Sequence, residues 1–325
     1  MKLGILGTGK IVQTLMENYD RLPVEKTYLL ATPRSLERAR KMAADHSFAG
    51  VFTDYKALLA SDIDTVYVAL PNDLHYEYTR QAFEAGKDVI LEKPATSNLA
   101  ELEALLALAE EKNCRLIEAM TVHHLPIYRR LKADLSKIGP IKLANLQFCQ
   151  YSSRYDAFLQ GIIHPVFDPE KCGGALYDLN VYNLHAALVL FGQPENIRYT
   201  ANVARGIDTS GVLVLEYPDM QVVCTATKDC DGPNISTIHG EKGVIRLEEP
   251  LSRITGYTLT PWGGTESRYD TDDTDRMYTE FLRILELLRQ DDREEIRRLQ
   301  KLSLAAMDLL EQARLQAGIR FPCDL

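Results

Sequence analysis

The sequence predicts an α/β chain in two parts: a doubly wound parallel sheet with helices on both faces, then an α+β domain built on a largely antiparallel sheet. Three observations predict it. Short apolar, β-rich runs alternate with amphipathic stretches through the first 120 residues. A Gly7-Thr8-Gly9 turn joins the first of these runs to the first helix. After about Thr121 the alternation gives way to apolar runs separated by turn signals.

In the first part the strands are Lys2 to Leu6, Thr27 to Ala31, Thr65 to Leu70, Asp88 to Leu91 and Arg115 to Glu118, with a weaker one near Val51. Helices fill the intervals Lys10 to Tyr19, Ser35 to Ala44, Leu74 to Ala85 and Leu99 to Lys112, the last with Asn98 as its N-cap. In the second part a helix covers Pro126 to Ser136, strands alternate from Ile141 to Tyr151, and a Gly/Pro-punctuated loop reaches Gly174. A helix from Leu176 to Phe191 follows, then antiparallel strands from Ile197 to Leu259, broken at Pro218-Asp219 and Asp231-Gly232-Pro233. The last segment, Asp275 to Ala317, reads as two helices joined near Asp291-Asp292. The expected domains are residues 1–121, residues 122–296, and a C-terminal helix, 297–325, packed back on the first. At 325 residues the chain exceeds the usual span of one hydrophobic core, which favours this division over one large α/β domain.

Hydrophobic residues at 46% and charged residues at 26% leave no room for a long disordered tract. A net charge of −9, from 37 Lys plus Arg against 46 Asp plus Glu, opposes binding to nucleic acid or an anionic membrane. No signal peptide or spanning run is legible, so a cytoplasmic location is expected. The six cysteines form no CxxC pair and no Cys/His spacing for zinc, and the adjacent His123-His124 has no carboxylate at metal spacing, so no metal is expected.

The glycines of Gly7-Thr8-Gly9 stand where a strand-to-helix turn must let a pyrophosphate approach the backbone, as in the Rossmann fingerprint. The fingerprint's third small position is Val12. NAD binding calls for a carboxylate at the end of the second strand, but that end reads Ala31-Thr32-Pro33-Arg34-Ser35. Arg34 suits a 2′-phosphate, so NADP is favoured over NAD; an exposed arginine opening a helix is the other reading.

GTGKI, ALPNDLH, EAGKDVILEKPAT and GGALYDLNVYNLH, in that order along the chain, closely resemble the Gfo/Idh/MocA oxidoreductase family, in its glucose–fructose oxidoreductase and dihydrodiol dehydrogenase branches. The resemblance implies a hydride transfer between a nicotinamide and a carbinol or carbonyl carbon of a small polyhydroxylated substrate. It places Lys93 of the EKP motif beside the nicotinamide, polarising the reacting oxygen, and implies cofactor-binding roles for Gly7, Thr8, Gly9, Lys10, Ile11, Thr32, Arg34, Leu70, Pro71, Asn72, His75, Glu92, Lys93 and Glu118. For Asn72 and His75, helix capping is the competing reading.

In the second-domain motif Gly173-Gly174 is followed by Asp178 and, four residues on, by Tyr182 where the family more often has His. On a helix that spacing puts both side chains on one face. A phenol with a pKa of about 10 is a credible proton donor to a forming hydroxyl, while Asp178 orients substrate or Lys93. His185 continues the face, as a substrate contact or as a satisfied core histidine. Arg154, Tyr155 and His164 fall where the family's substrate loop is expected; dimer interface or plain strand edge is the other reading. Two rival functions stand beside the dehydrogenase: redox-assisted, NAD-dependent glycoside hydrolysis, and non-catalytic dinucleotide-dependent regulation. A homo-oligomer, dimer or tetramer, is expected from an antiparallel sheet with one open face.

Overall fold

The computed structural model describes residues 1–272 and 275–324. In the N-terminal part each predicted strand forms: β1 (Lys2–Leu6), β2 (Lys26–Leu30), β3 (Gly50–Phe52), β4 (Thr65–Val68), β5 (Asp88–Glu92) and β6 (Leu116–Ala119). They are near-continuous apolar runs because a parallel strand is covered on both faces. The sheet order is β3-β2-β1-β4-β5-β6, every pair parallel. After β3 the chain returns past β1 to lay down β4, so the order reverses between β1 and β4, and the carboxyl ends of those two strands form the crevice where such sheets take ligands.

The helices are α1 (Lys10–Met16), α2 (Leu36–Asp45), α3 (Tyr55–Leu59), α4 (His75–Glu84) and α5 (Leu99–Glu111). Asn98 caps α5, its side chain accepting from the Glu101 amide at 2.8 Å. Helix α1 is shorter than its pattern suggested. Tyr19, expected as its last residue, is drawn into the core at 5% exposure, with its hydroxyl 2.6 Å from Thr27 Oγ1. Val12 replaces the small fingerprint residue without parting helix from strand, being fully buried beside Leu3 and Ile5. Helix α3, capped by Asp54, lies where the sequence signalled only a connection.

The second part opens with α6 (Thr121–His124) and α7 (Pro126–Asp134), then β7 (Ile141–Cys149) and the short α8 (Tyr155–Leu159) inside the predicted loop. The helix predicted over Leu176 to Phe191 is two segments: a π-turn, Leu176–Asn180, in which the Val181 amide donates to the Leu176 carbonyl, and α9 (Val181–Phe191). Strands β8 (Asn196–Ala204), β9 (Ile207–Glu216), β10 (Gln221–Thr227), β11 (Ser236–Gly240), β12 (Gly243–Leu247), β13 (Gly256–Pro261) and β14 (Ser267–Asp270) complete an eight-stranded sheet, ordered β14-β13-β12-β11-β7-β10-β9-β8. It is antiparallel except where β10 runs parallel to β7. One face, with Ala144, Leu146, Leu213, Leu215, Val222, Cys224 and Ile238, is buried, and α9 is itself buried nearly all round.

The C-terminal helices are α10 (Arg276–Gln290) and α11 (Arg293–Gln316). The chain forms two compact units, Met1–Met120 with Met277–Leu304, and Thr121–Arg276 with Ala305–Leu325. This differs from the expected division at 296/297, and the side chains explain why. Phe281, Ile284, Leu288 and Leu299 enter the first unit's core. Gln316 instead bonds the backbone of edge strand β8 at Ile197 and Tyr199, and buried Arg314 pairs with Asp324 across the Phe321 ring. Residues 305–325 thus belong to the second unit. Among the described residues no helix is long and apolar enough to cross a membrane.

Candidate active site

At the end of β1 the chain must turn at once. Gly7 does so with φ +99, and a Cβ there would stand 2.8 Å from the Ala69 carbonyl oxygen, so only glycine fits. Its amide donates to the Leu30 carbonyl at 3.0 Å, wedging the turn between β2 and β4. At Gly9 a Cβ would meet nothing within 4 Å. The backbone is therefore open where α1 begins, and that space fits a dinucleotide's pyrophosphate. Around it Lys10 is exposed, Ile11 half-buried, and Thr8 turned inward at 4% exposure. Beyond β2, Thr32 and Ser35 form a capping box that fixes the turn and leaves Arg34 exposed between them, and the turn itself carries no acidic residue. The chemistry offered at this corner is cationic, as a 2′-phosphate requires.

Strands β4 and β5 are paired through Val68 and Leu91, so Leu70-Pro71-Asn72 and Lys93 emerge from neighbouring strand ends. Pro71 is exposed, Leu70, Asn72 and Lys93 are half-buried, and the Lys93–Pro94 peptide is cis. His75 is fully buried, with Nδ1 3.0 Å from the Pro94 carbonyl and Nε2 2.9 Å from that of Leu70. It staples the two turns together, and burial pushes its pKa below the ordinary histidine value.

Glu92 and Glu118 lie under the Lys93 turn at 8% and 4% exposure. Glu92 accepts from Tyr67 Oη at 2.5 Å. Glu118 accepts from the Ala95 amide at 3.0 Å and from Ser303 Oγ at 2.5 Å. Burial pushes the Glu118 carboxyl up to about 7; nearby Glu92 adds to the shift, and the Lys93 charge works against it. These groups hold the turn from which Lys93 projects.

In the second unit Gly173-Gly174 leads into the π-turn. A Cβ on Gly173 would lie 2.6 Å from the Pro165 carbonyl oxygen, and one on Gly174, where φ is +103, would strike Asp208 Oδ1. That Asp208 carboxylate accepts from the Leu176 amide at 2.6 Å and from Tyr199 Oη at 2.7 Å, so it caps the helix start. The π-turn matters for the pair that follows. In a pure α-helix residue i+4 sits about 40° past residue i, and a widened turn brings the two closer to alignment. Asp178 is one-third exposed, and its Oδ2 pairs with Lys228 Nζ at 2.6 Å. Tyr182 is 7% exposed, its ring 5.7 Å from that of Phe148. Asn180 donates to the Cys224 carbonyl and accepts from Asn183, tying the helix to β10.

His185 is 1% exposed, its Nδ1 lies 2.9 Å from His123 Nε2, and burial pushes its pKa down to about 3. In the loop, Arg154 is exposed beside Ser153, and His164 is half-buried at the head of a 3-10 turn. The ring of Tyr155 packs within an aromatic cluster of Tyr151, Phe158 and Phe167. Lys228, Asp208 and Ser303 went unnoticed in the sequence. Only for Lys228 is there a signal, a lysine directly after the apolar run QVVCTAT, and such lysines are usually solvated.

Residues 1–120 match the family model described as "Oxidoreductase family, NAD-binding Rossmann fold", and residues 129–246 the "GFO/IDH/MocA C-terminal domain". The chain is 33% identical to scyllo-inositol 2-dehydrogenase (NADP(+)) of Bacillus subtilis, over 100% of this chain and 99% of that one. It is 25% identical to human trans-1,2-dihydrobenzene-1,2-diol dehydrogenase, covering 100% and 99%. A 3-ketoreductase from Actinomadura kijaniata, crystallised with NADP and TDP-benzene, shares the fold at a TM-score of 0.85 and 22% identity, covering 97% of each chain. Two family domains in series, and a relative alike from end to end, establish that this chain belongs to the Gfo/Idh/MocA family of oxidoreductases.

Proposed function

We propose that this protein is an NADP-dependent dehydrogenase or reductase acting on a CH–OH group of a sugar, polyol or dihydrodiol. The observation that carries the reading is the placing of an open glycine turn and a half-buried Lys93 at the carboxyl ends of β1 and β5, the two strands that flank β4 in one parallel sheet. Relatives named for scyllo-inositol, D-xylose and dihydrodiol oxidation support the substrate class. When bound, the nicotinamide supplies the hydride acceptor or donor. Gly7 and Gly9 let the pyrophosphate reach the backbone, and Leu70, Pro71 and Asn72 border the same crevice. The Lys93 ammonium binds the reacting oxygen and stabilises negative charge as it develops there. Tyr182 Oη gives or takes the hydroxyl proton, and Asp178 orients the substrate. A screen of polyols, aldoses and trans-dihydrodiols with NADP and with NAD, followed by cofactor absorbance, tests the reading; no turnover with any of them overturns it.

Arg34→Ala should raise KM for NADP by about 10- to 100-fold and leave that for NAD nearly unchanged, the loss expected for one charge-assisted phosphate contact. Equal effects on the two cofactors would show that Arg34 does not read the 2′-phosphate. The protein also self-associates in this reading. The open face of the eight-stranded sheet carries Leu143 and Val212 at 38% and 40% exposure, with Val214, Val223 and Val244 half-buried beside them. Light scattering should return a multiple of the chain mass, and Val212→Arg should lower it; a monomeric wild type ends this part of the proposal. Among the described residues the cysteines form no disulfide, which supports a reducing, cytoplasmic location.

A further inference from the structure

A lysine that is 2% exposed is costly to bury, so its partners define what it is for. Lys228 follows the last residue of β10 and has three partners within the second unit. Its ammonium donates to Asp178 Oδ2 at 2.6 Å and to the Val166 carbonyl at 2.9 Å, and it lies 4.8 Å from the centroid of the Phe167 ring. The Val166 carbonyl also accepts from the Gly174 amide at 3.1 Å, and the close approach of Gly173 to Pro165 and Val166 presses the same stretch against the start of the π-turn. Phe167 in turn stacks on Phe158 of α8 at 4.9 Å, and the Ser152 amide donates to the Lys228 carbonyl at 2.9 Å. One side chain thus joins the loop holding Arg154, Tyr155 and His164 to the helix holding Asp178 and Tyr182.

We infer that Lys228 is a positioning residue that yokes the 151–172 loop to the Asp178 helix and holds Asp178 as an ionised acceptor for a substrate hydroxyl. The inference rests on the proposed function for its substrate and on the packing of the second unit for the rest. An ammonium fastened to one carboxylate oxygen fixes the plane of the group and keeps it an acceptor only, so what it reads is a hydroxyl donor beside the reacting carbon. A carboxylate at that place on the substrate would be repelled. Tyr182 is left as the proton-exchanging group of the pair.

The test uses the full-length protein with Lys228→Met, Lys228→Arg and Asp178→Asn. Hydrogen exchange read by mass spectrometry should show amides of residues 155–172 exchanging at least about 10-fold faster in K228M and D178N, with residues 88–119 unchanged. In turnover, K228M should lower kcat/KM by about 10- to 100-fold, more through KM than through kcat, and leave the Kd for NADP within about twofold; K228R should recover most of the loss. A packing role alone would not give that recovery or that split. If K228M does not fold, D178N decides, because its partly exposed site tolerates the change and it releases the ammonium from the other side. Loop exchange and KM at wild-type values in whichever variant folds overturn the assignment. Exchange needs no substrate, so a wild type that turns over nothing defeats the proposed function, while the exchange rates of the loop still decide whether Lys228 holds it.

Discussion

Lys93→Met should lower kcat/KM by about 10³-fold while the Kd for NADP stays within about threefold, the loss found when one preorganised charge aimed at a developing oxyanion is removed. Methionine keeps most of the side chain's length and loses only the ammonium. The turn beneath is also held by groups other than that charge, since His75 holds the Pro94 carbonyl and Glu118 holds the Ala95 amide. The variant should therefore fold and bind cofactor as the wild type does, and rate is the quantity that changes. Steady-state kinetics beside a fluorescence titration with NADPH separate the outcomes. Lost cofactor affinity would make Lys93 a cofactor ligand first. Retained turnover would remove it from the chemistry, and retained biological output without turnover would favour a regulator.

The difference between Lys93 and its supports also marks where the sequence was readable. Parallel strands and their end turns are local features: an apolar run followed by Gly7-Thr8-Gly9 or by Glu92-Lys93-Pro94 announces both the strand and the edge at which it ends. The depth of a polar side chain below that edge is not local. His75, Glu92 and Glu118 sit in motifs that suggest ligand contact, yet each serves backbone or side-chain groups brought near by other strands. Ser303 reaches Glu118 from 185 residues away, and Lys228 reaches Asp178 across 50, so neither pairing leaves a spacing to find. The fourfold spacing of Asp178 and Tyr182 was legible, but the π-turn that tunes their alignment depends on Asp208 meeting the Leu176 amide, a tertiary contact. The division of the C-terminal helices differs from the expected one for a similar reason: the hydrophobic period of α11 gives its helicity, not which core receives each end.

Tyr182→Phe is the second large effect, an expected fall in kcat of about 10²- to 10⁴-fold. The change deletes one oxygen and keeps the ring, so the packing on Phe148 persists and stability should move by less than about 1.5 kcal/mol. An oxidation that releases a proton through a phenol speeds up as pH rises toward the titration of that phenol, so the wild-type kcat profile should climb on the alkaline side and the Phe variant should be flat there. Asp178→Asn gives the contrast. If the carboxylate only orients, the alkaline climb survives in that variant and KM rises; if Asp178 carries the proton, the Asn variant loses kcat and the Phe variant keeps most of it. Comparing the two profiles assigns the proton to one side chain, because one change removes a hydroxyl that can ionise and the other removes a charge that Lys228 keeps in place.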